Sequence, residues 1–201
     1  MSKQQRKSKQ IHPRKLMNKT MRESFMIFCE GQTEVGYFSS FKKRAKSLNG
    51  GNALAIVKEA VVQKNAATKQ IDQYWVVFDK DATSDADFNA AILLAEQNNM
   101  NAAWSNQAFE LWFILHYCQY TQATNRNNYE AILRKYIPTY NAGAKSEIQG
   151  RQLFATTNQL RQNAIDNATA GFNSFAALNH SQKESCTKVY ELVIQILANS
   201  V

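Results

Sequence analysis

Ser24-Phe-Met-Ile-Phe-Cys-Glu-Gly-Gln-Thr-Glu34 and Gln73-Tyr-Trp-Val-Val-Phe-Asp-Lys-Asp81 are the two stretches that decide the fold. Each carries an apolar run without alternation, the pattern of a strand whose two faces are both covered in a parallel sheet. Each run then breaks into acid: Glu30 and Glu34 follow the first, Asp79 and Asp81 the second. A carboxylate is costly to bury, so acids at the ends of buried strands call for compensation. In an open α/β sheet, functional groups gather beyond the carboxyl ends of the strands. If the two strands are parallel neighbours, Glu30, Asp79 and Asp81 meet there. Asp79 and Asp81, two residues apart, can converge on one ion in an extended segment. Hard oxygen ligands without a His or Cys pair favour Mg²⁺ or Mn²⁺ over zinc.

Outward from these runs, the chain alternates strand and helix, which indicates an α/β layer structure with a mainly parallel central sheet flanked by helices. Ser24–Cys29 is the first expected strand. A helix from Thr33 to about Leu48 follows, with Val35, Phe38, Phe41 and Ala45 inward and Asn49-Gly50-Gly51 as its stop. Ala53–Val57 reads as the second strand and Lys58–Lys69 as a short crossover helix. Tyr74–Phe78 is the third strand, Asp85–Asn98 a helix with Asp85 as N-cap, and Asn101–Ser105 the fourth strand. Ala108–Tyr117 is apolar nearly all round and reads as a buried helix. The remainder is a helical C-terminal part: Asn127–Ile137, about Gly150–Asn167, and Thr187–Asn199, with Pro138–Gln149 as a polar loop.

With 201 residues, 44% of them hydrophobic, the chain suits one domain with a full core, expected over residues 23–201. No apolar run approaches the ~18 residues of a membrane span, and the basic N-terminus lacks the apolar stretch of a secretory signal. Cys29, Cys118 and Cys186 are odd in number and form no CxxC. That argues against a disulfide framework and fits a reducing cytoplasm. Residues 1–22 hold Lys3, Arg6, Lys7, Lys9, Arg14, Lys15, Lys19 and Arg22 and no acid, matching the whole net charge of +8. The other 16 basic residues balance the 16 acidic ones. The expected picture is a near-neutral body with a basic, disordered arm. Such an arm attracts polyanions through counterion release, giving affinity without base specificity, or else serves as a solubilising tail.

Other residues have simpler readings. Glu34 falls in the first turn of a helix, where an acid complements the dipole. Glu110 sits between Phe109 and Leu111 and needs a partner: a cation, a helix N-terminus or a metal. His116 is about 120° round the helix from Glu110, so the two cannot serve one ion from one face, and it reads as a core histidine. Trp75, Trp104 and Trp112 read as core. Lys145 is a loop cation whose default is the surface.

Three motifs carry a family resemblance: Phe28-Cys-Glu-Gly-Gln-Thr-Glu34 with Tyr37-Phe38, then Val77-Phe-Asp-Lys-Asp81, then Ser105-Asn-Gln-Ala-Phe-Glu-Leu-Trp-Phe-Ile-Leu-His116. In order and spacing they resemble the RloB-like family, Toprim-related proteins associated with phage defence and restriction loci. Ser185-Cys-Thr-Lys-Val-Tyr-Glu-Leu-Val193 is similar to that family's last helix, where Asn-Pro-Ser-Thr is more usual. The resemblance implies a Toprim-like fold, with Glu30 as the glutamate after the first strand and Asp79 and Asp81 as the Asp-x-Asp. It also matches Glu34, by position, to a second metal-binding acid of related nucleases, and Lys145 to a late lysine near the scissile phosphate.

The function expected on these grounds is a Mg²⁺- or Mn²⁺-dependent phosphodiesterase, a nuclease effector of a bacterial antiphage system. Glu34, Asp79, Asp81 and Glu110 are the candidate metal ligands, and Glu30, a ligand or general acid/base, is the catalytic candidate with Lys145. The family resemblance adds a companion ATPase. The alternative is a noncatalytic nucleic-acid-binding or regulatory module. Nucleotidyl-transfer chemistry ranks lowest, for want of a nucleophile or nucleotide-binding motif. Nothing in the residues separates RNA from DNA.

Overall fold

In the computed structural model, which describes residues 22–48 and 51–200, β1 (Phe25–Cys29), β2 (Arg44–Ser47), β3 (Gln73–Asp79) and β4 (Asn101–Ser105) form a parallel sheet. The strand order is β2-β1-β3-β4. The unbroken apolar runs of β1 and β3 are explained by cover on both faces. Ile27, Cys29, Trp75, Val77 and Ala103 enter one core cluster, while Phe28, Val76, Phe78 and Trp104 enter the other. A side chain such as Ile27 or Phe28, fully withdrawn from water, contributes about 1.5–3 kcal/mol. The second face is covered by α2 (Ala53–Asn65) and α3 (Asp85–Gln97) through Ile56, Val57, Ala60, Phe88, Ala91 and Ile92. The first face carries α1 (Gln32–Ser39), α4 (Glu110–Ile114), α5 (Arg126–Tyr136), α6 (Glu147–Thr157), α7 (Arg161–Ser174) and α8 (Val189–Ala198). The α/β class and the helical C-terminal part are as the sequence indicates. Trp75, Trp104 and Trp112 are core residues.

Two elements differ from the sequence expectation. The helix predicted over Thr33–Leu48 stops at Ser39, and Arg44–Ser47 is the edge strand β2. Its Arg-Ala-Lys-Ser alternation is that of a short edge strand, whose cations resist pairing with another chain. The strand predicted over Ala53–Val57 is the start of α2. Asn52 caps it, its side chain accepting from the Ala55 amide at 2.9 Å. Ala53, Ile56, Val57 and Ala60 are its buried face, at helical and not strand spacing.

Smaller shifts concern helix ends. Ser84, not Asp85, caps α3, accepting from the Asp87 amide at 3.1 Å, and Asp85 instead pairs with Lys80 at 3.0 Å. The helix expected over Ala108–Tyr117 is regular only over Glu110–Ile114. The one expected over Gly150–Asn167 is two, α6 and α7, joined by a 3₁₀ turn at Asn158–Leu160.

Helices α1 and α6 cross at glycines. A β-carbon on Gly36 would stand 2.1 Å from the Glu147 carbonyl oxygen, and one on Gly150 would stand 2.0 Å from that of Thr33. Two helical glycines thus let the backbones touch, and that contact draws the loop before α6 over the carboxyl ends of β1 and β3. On the far side, Ser185–Lys188 runs along the end of β4. The Lys188 amide donates to Trp104 O at 2.8 Å and the Asn106 amide to Cys186 O at 2.9 Å.

Candidate functional site

The condition set by the sequence is met: β1 and β3 are parallel neighbours, with Cys29 beside Val77. The ladder continues one step past β1, the Glu30 amide donating to Val77 O at 3.0 Å. The Asp79 amide then donates to Glu30 Oε2 at 3.0 Å. The amides of Lys80 and Asp81 donate to Ser105 O and Gln107 O, each at 2.9 Å, tying the exit of β3 to the end of β4. Asp81 does not continue the strand. It turns into the left-handed region, φ 38°, and its carboxylate pairs with Arg126 at the start of α5.

Glu30, Glu34, Asp79, Asp81, Glu110 and Lys145 all line one cleft of about 260 Å³, at the carboxyl ends of β1 and β3. Glu34, in the first turn of α1, is buried, and its Oε2 lies 2.7 Å from where a β-carbon on Gly31 would be. The carboxylate folds over the glycine, whose missing side chain makes the room. Glu110 is not enclosed by its apolar neighbours. It opens α4 at the cleft wall, half-buried, and accepts from the Tyr140 hydroxyl at 2.8 Å. Lys145, with Gln149, closes the cleft from the α6 side.

Five carboxylates face two cations, Arg126 and Lys145. Burial pushes the Asp79 carboxyl well above the usual range, and the charges of Glu30, Glu34 and Glu110 push it further. Burial likewise raises Glu30, against the opposing effect of the Asp79 amide. Glu34 is pushed up to about 7, chiefly by burial and then, against its own backbone amide, by Glu30 and Glu110. Such a group of acids is stable only with protons or cations added. Asp79 Oδ1 is buried and has no hydrogen-bond partner, and an orphaned carboxylate oxygen in an acidic cleft suits a hard divalent cation.

Among the described residues, no group of three or more His, Cys, Asp or Glu side chains stands as a ready ligand shell. Three of the five acids are already engaged: Asp81 by Arg126, Glu110 by Tyr140, and Glu30 by the Asp79 amide.

Sequence reading missed Arg126 and Tyr140. Arg126 lies in Thr124-Asn-Arg-Asn-Asn128, where nothing local sets it apart from a solvated cation, and Tyr140 sits in a loop. Gly36 and Gly150 did carry a signal, since glycine inside a helix weakens it unless packing needs it. His116 is a core residue: fully buried, its Nδ1 donates to Trp112 O at 2.8 Å, and burial lowers its pKa to about 4. Lys3, Arg6, Lys7, Lys9, Arg14 and Lys15 lie outside the described residues. No helix among the described residues is long and apolar enough to cross a membrane.

A family model described as RloB-like protein matches residues 25–196. No curated protein and no solved structure matches the chain.

Proposed function

The chain belongs to the RloB-like family, and we propose that it is a divalent-metal-dependent phosphodiesterase acting on nucleic acid, an effector of a bacterial antiphage system. The observation that carries the reading is the buried, partnerless Oδ1 of Asp79 in a cleft with four further carboxylates. Asp79 and Glu34 are the primary ligand candidates. Asp81 joins them on leaving Arg126, and Glu110 stands at the rim. Mg²⁺ or Mn²⁺ bound there would supply Lewis acidity toward a phosphate oxygen and a nucleophilic water at neutral pH.

The residues themselves do the rest. Glu30 is fixed by the Asp79 amide, which leaves its other oxygen to take a proton from water as general base. Arg126, once free of Asp81, presents a planar fork to a phosphate, and Lys145 supplies a second positive charge near the leaving oxygen. The antiphage role and a companion ATPase rest on the family resemblance. The basic arm, outside the described residues, adds affinity through counterion release.

Two observations favour a second reading. The engagement of Asp81 by Arg126 and the lack of a ready ligand shell among the described residues suit a noncatalytic binding or regulatory module. The deciding experiment incubates the full chain with tRNA, single-stranded DNA and duplex DNA plus Mn²⁺, with and without a candidate companion ATPase, against Asp79→Ala. Metal-dependent cleavage lost in the variant supports the phosphodiesterase. No cleavage under any condition, or equal cleavage by the variant, supports the module.

A further inference from the structure

The outer edge of the sheet offers a second surface with chemistry of its own. β2 is the edge strand, and Arg44 and Lys46 are both exposed on it, Lys46 Nζ donating to Gln63 Oε1 at 2.8 Å. In a strand, residues two apart stand about 6.7 Å from each other on one face. Beside this edge runs a groove of about 420 Å³ whose floor is Met26, Phe28, Ile71 and Tyr74 and whose rim carries Arg44, Lys46 and Lys69. Tyr74 is half-buried, stacked on Phe28 at 6.4 Å and 12°, with Lys64 Nζ 5.3 Å from its ring centre.

The cations here lack counter-acids. Among the described residues, none of Arg44, Lys46 and Lys69 forms a salt bridge. The acids nearby are engaged otherwise. Asp72 accepts from the Ser24 amide at 2.8 Å and hydroxyl at 2.7 Å, Glu23 accepts from Gln73, and Glu59 accepts from Gln63. At the amino end of the edge, Arg22 adds its charge to Lys42, Lys43 and Arg44 around an adjoining recess. At the carboxyl end, Ser47 donates to the carbonyl of Glu30 at 3.3 Å, and Glu30 itself lines the acidic cleft. Protection of a sheet edge would explain the cations alone, but not an apolar, aromatic floor between them. Cations tracking a groove with an aromatic platform are the means by which proteins hold a single strand: phosphates on the rim, a base face on the ring.

We propose that the β2 edge is a binding track for an extended single strand of nucleic acid, which it leads from Arg22 past Arg44 and Lys46 to the acidic cleft. The proposal rests on the reading of this chain as one that acts on nucleic acid, although binding on this track requires no metal and no cleavage. A duplex, with its base faces stacked inside, has nothing to offer Tyr74.

The test is fluorescence anisotropy in EDTA with the full chain, using labelled single-stranded DNA, single-stranded RNA and duplex DNA over a series of salt concentrations. Arg44→Ser with Lys46→Ser, both exposed, is expected to weaken single-strand binding about tenfold and to lower the salt slope by about 1.4, as for two lost phosphate contacts. Tyr74→Ala is expected to weaken it by a similar factor, with Tyr74→Phe restoring it, while Lys135→Ser, which removes an exposed cation that does not line the groove, leaves it unchanged. The RNA and DNA arms identify the natural strand. An unchanged affinity and slope in the double variant, absence of single-strand binding by the wild type, or equal loss of duplex binding overturns the proposal. A protein that binds through this track and never cleaves overturns only the phosphodiesterase reading. One that cleaves with the track variant binding normally overturns only the track.

Discussion

The backbone amide of Asp79 donates to the side chain of Glu30 at 3.0 Å, so the acid that ends β1 is held by the acid that ends β3. Glu30 therefore serves the fold through its oxygen and the site through its charge, and two substitutions separate these roles. Glu30→Gln keeps an acceptor for the amide and is expected to retain stability while losing most cleavage. Glu30→Ala orphans the amide and is expected to lose about 1–3 kcal/mol as well. Urea denaturation read beside a cleavage assay checks the split.

Glu34 ties stability to pH. Its carboxyl, near 4.5 when unperturbed, is pushed up to about 7 in the folded chain, mainly by burial and then by Glu30 and Glu110. The folded state thus holds the proton more tightly than the unfolded state. The contribution is complete below pH 4.5 and is lost as pH rises through 7. In EDTA, Glu34→Gln is expected to gain on the wild type as pH rises from 5 to 8, reaching an advantage of about 3 kcal/mol at pH 8, a difference in which the opposite effect of buried His116 cancels. Scanning calorimetry at the two pH values decides it, and Mn²⁺ is expected to stabilise the wild type more than the variant.

Gly36 and Gly150 test the helix crossing. Alanine at either puts a β-carbon 2.1 or 2.0 Å from a backbone oxygen of the facing helix, and backbone cannot step aside as a flexible side chain can. Each substitution is expected to cost about 3 kcal/mol, the upper end for overpacking. The loss of stability, measured by denaturation, is expected with reduced cleavage, since α6 carries Gln149 and follows Lys145 at the cleft wall.

Arg126 holds Asp81 and lowers the cost of ionising Glu30 and Asp79. Arg126→Ala frees the Asp81 carboxylate for a cation and removes the proposed phosphate partner. Mn²⁺ is expected to bind about tenfold tighter, a change of about 1.4 kcal/mol, while cleavage falls by about 100-fold. Calorimetric titration of Mn²⁺ and single-turnover cleavage read the two effects separately.

How much of the fold and the cleft was legible in the sequence depends on where the signals sit. β1 and β3 could be read because burial on both faces demands unbroken apolar runs. The acids could be read because they follow or interrupt apolar runs. β2 could not, since an edge strand of Arg-Ala-Lys-Ser has no apolar run and continues a basic helical pattern. Ile56-Val57 misled because β-branched pairs suggest strand, although Asn52 and the spacing of Ala53, Ile56, Val57 and Ala60 pointed to a capped helix. Arg126 and Tyr140 reach the cleft across 45 and 30 residues from their partners Asp81 and Glu110. Only the folded chain brings them together.

If the acids at the ends of β1 and β3 form a divalent-cation site, Asp79, with its buried and partnerless Oδ1, is the ligand that site cannot do without. Titration of the full chain with Mn²⁺, followed by electron paramagnetic resonance of the free ion, reads binding without reference to activity. The wild type is expected to take up Mn²⁺ saturably, and Asp79→Asn, nearly isosteric, to lose that binding while remaining folded. Absence of saturable uptake by the wild type, or equal uptake by the variant, would mean that these acids hold no divalent cation.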